Sequence, residues 1–583
     1  MPACPDHGRG AGGRDGAGNR RGRRCGERGV GWEHKEVSPV QPLALSAVAT
    51  RTSRVPTLLV TSSNTIASMT SERTDAGAGA KTGLLEVNDY RAHRTAPRGI
   101  SRIGRCHPKE VRMAGHVVVV GAGLAGLSAA LHLQGTGRQI TVLDKADAPG
   151  GRAGTVRVGG FTADSGPTVL TMPEYLDEAF AAVGERLADW LTLDRVDPAY
   201  HARFADGSRI AVHTDSAAME DEVRNVCGAT EAAGYRELRR WLGELYAVQR
   251  EHFIGANFDS ALDLVRPELA KLALLGGFGR LEPQLRRFIE DERLIRLFSF
   301  QALYAGVPPQ QALAAYAVIA YMDTIAGVYY PRGGMHAVPQ ALSKAAEKHG
   351  AEFRYGTPVT RLEWSGARVS AVHTADERIA ADAVVLACEL PDAYRLLGRR
   401  PQRLLKHRWS PSAVVLHAAT DRTWDLGHHN ILFGEAWRGT FDEIVHKGQL
   451  MSDPSLLVTH AQDGLHYVLA PCPNLETGPI DWPRVAPRYR DELVATLERR
   501  GLDGFGDAIQ DEHLVTPQDW GNAAGTPFGL AHTFAQTGPF RPRNVVRGAE
   551  NVALAGAGTT PGVGVPPVLI SGRLAAKRIN AMR

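Results

Sequence analysis

Between His116 and Asp144 the chain runs a β-branched strand candidate, His116-Val117-Val118-Val119-Val120, straight into Gly121-Ala122-Gly123-Leu124-Ala125-Gly126. A short apolar run of this kind predicts a strand buried on both faces of a parallel sheet. Leu127 to Leu133 continues with helical spacing, and Gln139-Ile140-Thr141-Val142-Leu143 predicts a second strand that ends at Asp144. Glycines at such a turn let backbone N–H groups approach a pyrophosphate at the positive end of the following helix. Asp144, 18 residues beyond Gly126, is placed to accept from a ribose 2′-hydroxyl, and its charge disfavours a 2′-phosphate. Glycines also mark plain turns, but strand, helix and acid in register with them point to a Rossmann-like α/β unit for a dinucleotide.

That segment does not separate FAD from NAD. The residues that follow do: Pro149-Gly150-Gly151-Arg152-Ala153, then Phe161-Thr162-Ala163-Asp164-Ser165-Gly166-Pro167-Thr168. A double glycine and an arginine soon after the acid resemble the second pyrophosphate contact of the two-dinucleotide-binding-domain flavoproteins. The plain alternative is a loop between strands with a solvated surface charge. Near the other end, Asn551-Val552-Ala553-Leu554-Ala555 predicts a last strand. It enters Gly556-Ala557-Gly558-Thr559-Thr560-Pro561-Gly562-Val563-Gly564-Val565-Pro566, a strand-to-helix junction whose N–H groups could face the pyrimidine end or ribityl chain of a flavin.

Segments of cofactor type therefore bracket segments of another type. With 583 residues the chain exceeds what one simple core accommodates. We expect a discontinuous FAD-binding domain from 113–214, 326–394 and 531–583, interleaved with an α+β substrate and helical domain from 215–325 and 395–530. Residues 215–325 look mostly helical, with Phe278, Leu281, Leu285, Phe288 and Ile289 near helical spacing on a core-facing side. Residues 1–112 are rich in Arg and Gly, lack periodicity and are expected to be disordered; Met113 is a candidate for the true start. This extension carries 16 Arg and 3 Lys against 10 acidic residues while the whole chain nets only +4, so the body is mildly acidic and gives no support for a nucleic-acid partner. Six cysteines lie at 4, 25, 106, 227, 388 and 472 without a C-x-x-C pair, which fits a reducing compartment and no zinc site. No apolar run reaches the roughly 20 residues needed to cross a bilayer. His428 and His429, as neighbours on a strand, are expected to point to opposite faces and not to share a metal.

At this point the chain resembles the bacterial phytoene desaturases of the carotenoid/retinoid FAD oxidoreductase family. Beyond the cofactor loops, the likeness is carried by Asp291-Glu292-Arg293-Leu294 through Tyr304-Ala305-Gly306, by Tyr330-Pro331-Arg332-Gly333-Gly334-Met335 and by His428 to Gly434. It continues through Tyr467 to Pro473, Thr516 to Trp520 and Phe540-Arg541-Pro542-Arg543-Asn544. The family's ending carries a histidine where this chain has Thr560. The resemblance implies FAD held by Gly121, Gly123, Leu124, Ala125, Gly126, Asp144, Lys145, Gly151, Arg152, Gly166, Pro167, Thr168, Val359, Gly558, Thr559, Gly564 and Val565. It implies dehydrogenation of a long apolar isoprenoid, phytoene towards neurosporene or lycopene, with an electron acceptor such as quinone or oxygen. It also implies a cytoplasmic protein lying on the membrane surface, for which Arg266, Lys271 and Arg280 beside Leu269, Leu272, Leu274 and Leu275 form the candidate face; the plain alternative for this segment is a soluble amphipathic helix packed on its own domain. No catalytic side chain is singled out, and no Ser-His-Asp or His-Glu-x-x-His spacing points to hydrolysis or metal catalysis. The flavin fold also leaves open another carotenoid desaturase, a terminal oxidase or isomerase, an amine oxidase, or a non-catalytic flavin-binding module.

Overall fold

The computed structural model describes residues 115–260, 263, 265–399 and 406–582; the extension expected over 1–112 and the start at Met113 lie outside them. The valines of His116–Val120 form the centre of a five-stranded sheet in the spatial order Val552–Leu554, Ala383–Leu386, His116–Val120, Gln139–Leu143, Glu352–Arg354, with every pairing parallel. Strands this apolar need cover on both faces. The first helix, Leu124–Gln134, and the last, Val565–Ala581, pack against each other, with Ser128 Oγ donating to Leu569 O at 2.8 Å. They share one core with the helix Ala337–Lys348.

A seven-stranded sheet forms the second body, in the order Ile509–Val515, Ser412–Thr420, Leu465–Cys472, Leu456–Gln462, His429–Leu432, Tyr200–Arg203, Arg209–Val212. Its central strands are buried along their whole length. Their side chains join the helices Ala229–Gln249 and Trp482–Arg499 in a common core. The hairpin 200–212 belongs to this sheet, so the second body begins before residue 215. The physical reason is that Tyr200–Arg203 runs parallel to His429–Leu432, a long-range pairing with no local signature.

The helical layer also departs from expectation. The apolar spacing from Phe278 to Ile289 does not form one helix: only Leu281–Leu285 is helical. Glycines at 276, 277 and 279 interrupt the chain ahead of it, Leu281, Leu285 and Ile289 are buried, and Phe278 stands 45% exposed. No helix among the described residues is long and apolar enough to cross a membrane.

Candidate functional site

The glycine turn is shaped by close approach. A Cβ on Gly126 would come within 1.9 Å of Gly121 O, so only glycine lets the first helix start directly over the strand. At Gly123, the residue that caps this helix without any side-chain cap, a Cβ would meet nothing within 4 Å. This is open space at a helix N-terminus, the arrangement that receives a phosphate. Leu124 and Ala125 are buried beneath it. Asp144 sits at the neighbouring strand end, its carboxylate accepting from Ala122 N at 2.6 Å and Ala146 N at 2.8 Å. Lys145 is exposed. Thr357 N donates to Asp144 O at 2.7 Å, bringing the loop that carries half-buried Val359 alongside the acid.

The double glycine is tied to the same turn. Gly150 N donates to Ala122 O at 2.9 Å, Gly151 lies against Gly123, and a Cβ on Gly166 would fall 1.9 Å from Arg152 O. The Arg152 guanidinium pairs with Glu389 at 2.5 Å; both side chains are about one-third exposed. Asp164 organises the rest of this loop. It accepts from Tyr330 O–H at 2.8 Å, Met335 N at 2.9 Å and His336 N at 3.2 Å, which places the Tyr330–Met335 segment beside it. Pro167 is half-buried, and Thr168 is buried with its hydroxyl 3.0 Å from that of Thr459.

The C-terminal loop arrives from the opposite edge. Ala555 N donates to Leu386 O at 3.0 Å, and Gly558 lies against Leu390. The Thr559 hydroxyl is used inside the protein, 3.0 Å from Gly556 O and 3.0 Å from Ser571 Oγ. At Thr560, the position of the family's histidine, the hydroxyl and the N–H both turn to Pro542 O, at 3.3 and 3.0 Å. Gly564 caps the last helix and Val565 opens it; because Pro566 and Pro567 follow without donors, Val565 supplies the free N–H of that first turn. A Cβ on Gly556 would meet nothing within 4 Å, so this loop too borders open space. The buried Arg541 guanidinium laces the loop together, donating from Nε to Thr559 O at 3.0 Å and from Nη2 to Ala557 O at 2.7 Å.

The candidate segments from both ends of the folded body thus follow the C-terminal ends of neighbouring strands of the parallel sheet: a helix N-terminus after the first strand and another after the last, an acid at a strand end, and an arginine paired with Glu389. These parts fit an extended dinucleotide with a diphosphate in the middle and a polar ring system at the C-terminal loop. Sequence reasoning missed Glu389 and the lacing role of Arg541. Glu389 follows a strand end without any motif around it, and Arg541 stood out only as part of a family-like string. The two histidines also differ from expectation: the strand starts at His429, so alternation does not govern His428, and the rings lie stacked with centroids 6.5 Å apart. His428 Nε2 faces Thr168 O at 3.3 Å and His429 Nδ1 faces Thr459 Oγ1 at 3.0 Å. Among the described residues no cluster of His, Cys, Asp or Glu has metal-binding geometry.

Comparison with known proteins shows the family and the fold. The family described as flavin containing amine oxidoreductase matches residues 124–580. A phytoene dehydrogenase of Streptomyces griseus is 64% identical over 484 residues, covering 80% of this chain and 96% of that protein. A zeta-carotene-forming phytoene desaturase of Myxococcus xanthus is 36% identical over 489 residues, covering 79% and 93%. Among solved structures, an oxidoreductase from Methanosarcina mazei superposes with a TM-score of 0.52 at 14% identity, covering 78% of this chain and 98% of that one. Putrescine oxidase bound to putrescine gives 0.52 at 16%, covering 80% and 99%. At such identities the two structures establish a shared fold.

Proposed function

Because the chain belongs to the flavin-containing amine oxidoreductases, and within them to the bacterial phytoene desaturases, we propose that it dehydrogenates phytoene, a C40 isoprenoid, towards neurosporene or lycopene. It is an FAD-dependent oxidoreductase. The observation that carries the substrate is the 64% identity to a phytoene dehydrogenase along nearly that protein's whole length. Relatives at lower identity differ in product, zeta-carotene-forming, lycopene-forming or neurosporene-forming, so the number of steps is set by features that differ among close kin.

Bound FAD supplies the oxidising power to remove hydrogen from an unactivated C–C bond. This chain's part is to hold and enclose it. In our reading Gly121, Gly123 and Gly126 with the N–H groups of Leu124 and Ala125 receive the diphosphate, Asp144 takes the ribose, and Lys145 and Val359 flank the adenosine. Gly151, Arg152, Gly166, Pro167 and Thr168 follow the middle of the cofactor. Gly558, Thr559, Gly564 and Val565 meet the flavin ring. The parallel sheet is the cofactor unit, and the seven-stranded sheet with its helical layer encloses the hydrocarbon.

A cavity of about 340 Å³ is lined by Arg280, Val307, Pro308, Arg408, Thr533 and Phe534 among others. Among the described residues the large apolar side chains left exposed are Val265, Leu274, Phe278, Phe534 and Phe540; Phe534 lines this cavity and the Phe540 ring lies 5.7 Å from it. The exposed charges of Lys271 and Arg280 accompany them. Exposed apolar side chains together with exposed basic ones suit an anionic lipid surface. We read this as the membrane face of a peripheral, cytoplasmic enzyme, with the hydrocarbon entering here and electrons leaving to a quinone or oxygen. Purified protein given FAD and phytoene in liposomes tests the function: FAD-dependent growth of conjugated-polyene absorption is expected. Its absence from protein that retains FAD overturns the assignment.

A further inference from the structure

The second body contains one carboxyl group that packing alone does not explain. Asp323 lies on a single π-helical turn, Met322–Ala326, between the short helix Ala317–Tyr321 and the strand Val328–Pro331. Turns of this type cost hydrogen-bond geometry and recur at functional positions. The side chain is buried. Tyr200, from the seven-stranded sheet, and Gln301, from the helical layer, direct hydrogen-bonding groups at it, and Tyr304 lies within its field. The Gln301 carboxamide, itself buried, has no well-formed hydrogen bond within the protein. No Arg or Lys among the described residues contributes to the field at Asp323. Burial therefore dominates and pushes its pKa up to about 7.

The surroundings are aromatic. Tyr200 meets Phe300 edge-on at 5.6 Å, Phe300 meets Tyr304 at 6.0 Å, and Tyr304 meets Phe528 at 5.8 Å. On its other side the Tyr200 ring lies 4.9 Å from His429, whose Nδ1 reaches Thr459 and through it Thr168 of the candidate cofactor loop. The strand that follows Asp323 ends near the same loop, where Tyr330 O–H bonds Asp164. Asp323 is thus an acid without a counter-ion in an apolar, aromatic interior, connected by packed side chains to the cofactor side.

Turning –CH2–CH2– into –CH=CH– removes two hydrogens and two electrons. One hydrogen leaves with its bonding pair to the oxidised flavin. The other leaves the adjacent carbon as a proton while its bonding pair becomes the new π bond, and that proton needs an acceptor in a site that excludes water. Building on the desaturase reading, we propose that Asp323 is this acceptor: its carboxylate takes the proton, becomes the neutral acid, and gives that proton up to solvent once the product has left, returning to the carboxylate before the next step. A group poised near the working pH suits the task. Of the groups facing it, Tyr200 and Tyr304 are held protonated by burial and His429 is held neutral by burial. Asp323 is therefore the member of this set that changes charge between about pH 5 and 8.

The test is anaerobic single-turnover reduction of the FAD-loaded protein by phytoene in liposomes, for wild type, Asp323→Asn and Asp323→Glu, with flavin absorbance followed across pH. Wild type should reduce faster as pH rises, with a midpoint near 7. Asp323→Asn should be on the order of 100-fold slower or worse and flat with pH, and Asp323→Glu should recover part of the rate. Infrared titration without substrate should show a carboxyl band that disappears near the same midpoint and is missing in Asp323→Asn. Reduction of Asp323→Asn at the wild-type rate, or with the wild-type pH dependence, refutes the proposal and leaves the desaturase reading intact. Wild-type flavin that phytoene does not reduce at any pH removes both. Should Asp323→Asn lose FAD, the wild-type profile decides: a midpoint near 7 supports the role, and a flat profile refutes it.

Discussion

Replacing Arg541 by methionine keeps the buried stem and deletes the guanidinium. Two short hydrogen bonds disappear, to Thr559 O at 3.0 Å and Ala557 O at 2.7 Å, and with them longer contacts to Leu530 O and Gln536 O. A hydrogen bond from a charged donor contributes about 1.5–3 kcal/mol, so the two short ones amount to about 3–6 kcal/mol. The carbonyls they release belong to the loop Gly556–Gly564, whose ordering precedes any contact with a flavin ring. If about 3 kcal/mol of this appears in cofactor binding, FAD affinity falls roughly 150-fold, at 1.4 kcal/mol per tenfold. Apoprotein titrated with FAD, followed by flavin fluorescence, measures it, with Arg541→Lys expected to fall between the two. An Arg541→Met protein that binds FAD within about threefold of wild type would refute the claim that this side chain organises the loop.

Gly123→Ala separates folding from cofactor binding: its Cβ meets no protein atom within 4 Å, so the melting temperature of the apoprotein should hold while FAD affinity drops. Gly126→Ala, whose Cβ would lie 1.9 Å from Gly121 O, should lower both, and equal melting temperatures for the two variants would contradict the geometry. His417 and His466 are fully buried, and burial lowers each to about 4 from an unfolded value near 6.5. A base that is harder to protonate when folded contributes stability above pH 6.5 that is lost as the pH falls towards 4, about 3 kcal/mol for each histidine at full loss. Urea midpoints should fall steeply across that window, and a constant midpoint from neutral pH to 4.5 would exclude the effect. Phe278→Ser combined with Phe534→Ser should weaken flotation with anionic liposomes without changing FAD content; unchanged flotation would move the membrane face elsewhere.

What could be read from the residues alone was local. The strand at His116, the turn to Gly126 and the acid at 144 are contiguous, and period and turn chemistry specify each. The C-terminal junction was legible for the same reason. The hairpin 200–212 was not, because its place in the seven-stranded sheet depends on a parallel partner more than 200 residues away. The helix suggested by Phe278 to Ile289 is cut short because the glycines at 276, 277 and 279 outweigh the apolar spacing. Glu389, Arg541 and Asp323 carry no motif that marks them as site residues: each matters through what packs around it, and a single Asp, Glu or Arg in a sequence carries no sign of its partners.

The strand Val552–Leu554 has a consequence for how the protein comes into being. It pairs with Ala383–Leu386, which pairs with the first strand at His116. During synthesis the opening strand emerges hundreds of residues before its sheet can be completed. Until Val552–Leu554 and the helix Val565–Ala581 have left the ribosome, Ala383–Leu386 has a bare edge and the helix Leu124–Gln134 lacks the partner that covers it. The nascent chain therefore passes through a long interval with an apolar edge unprotected.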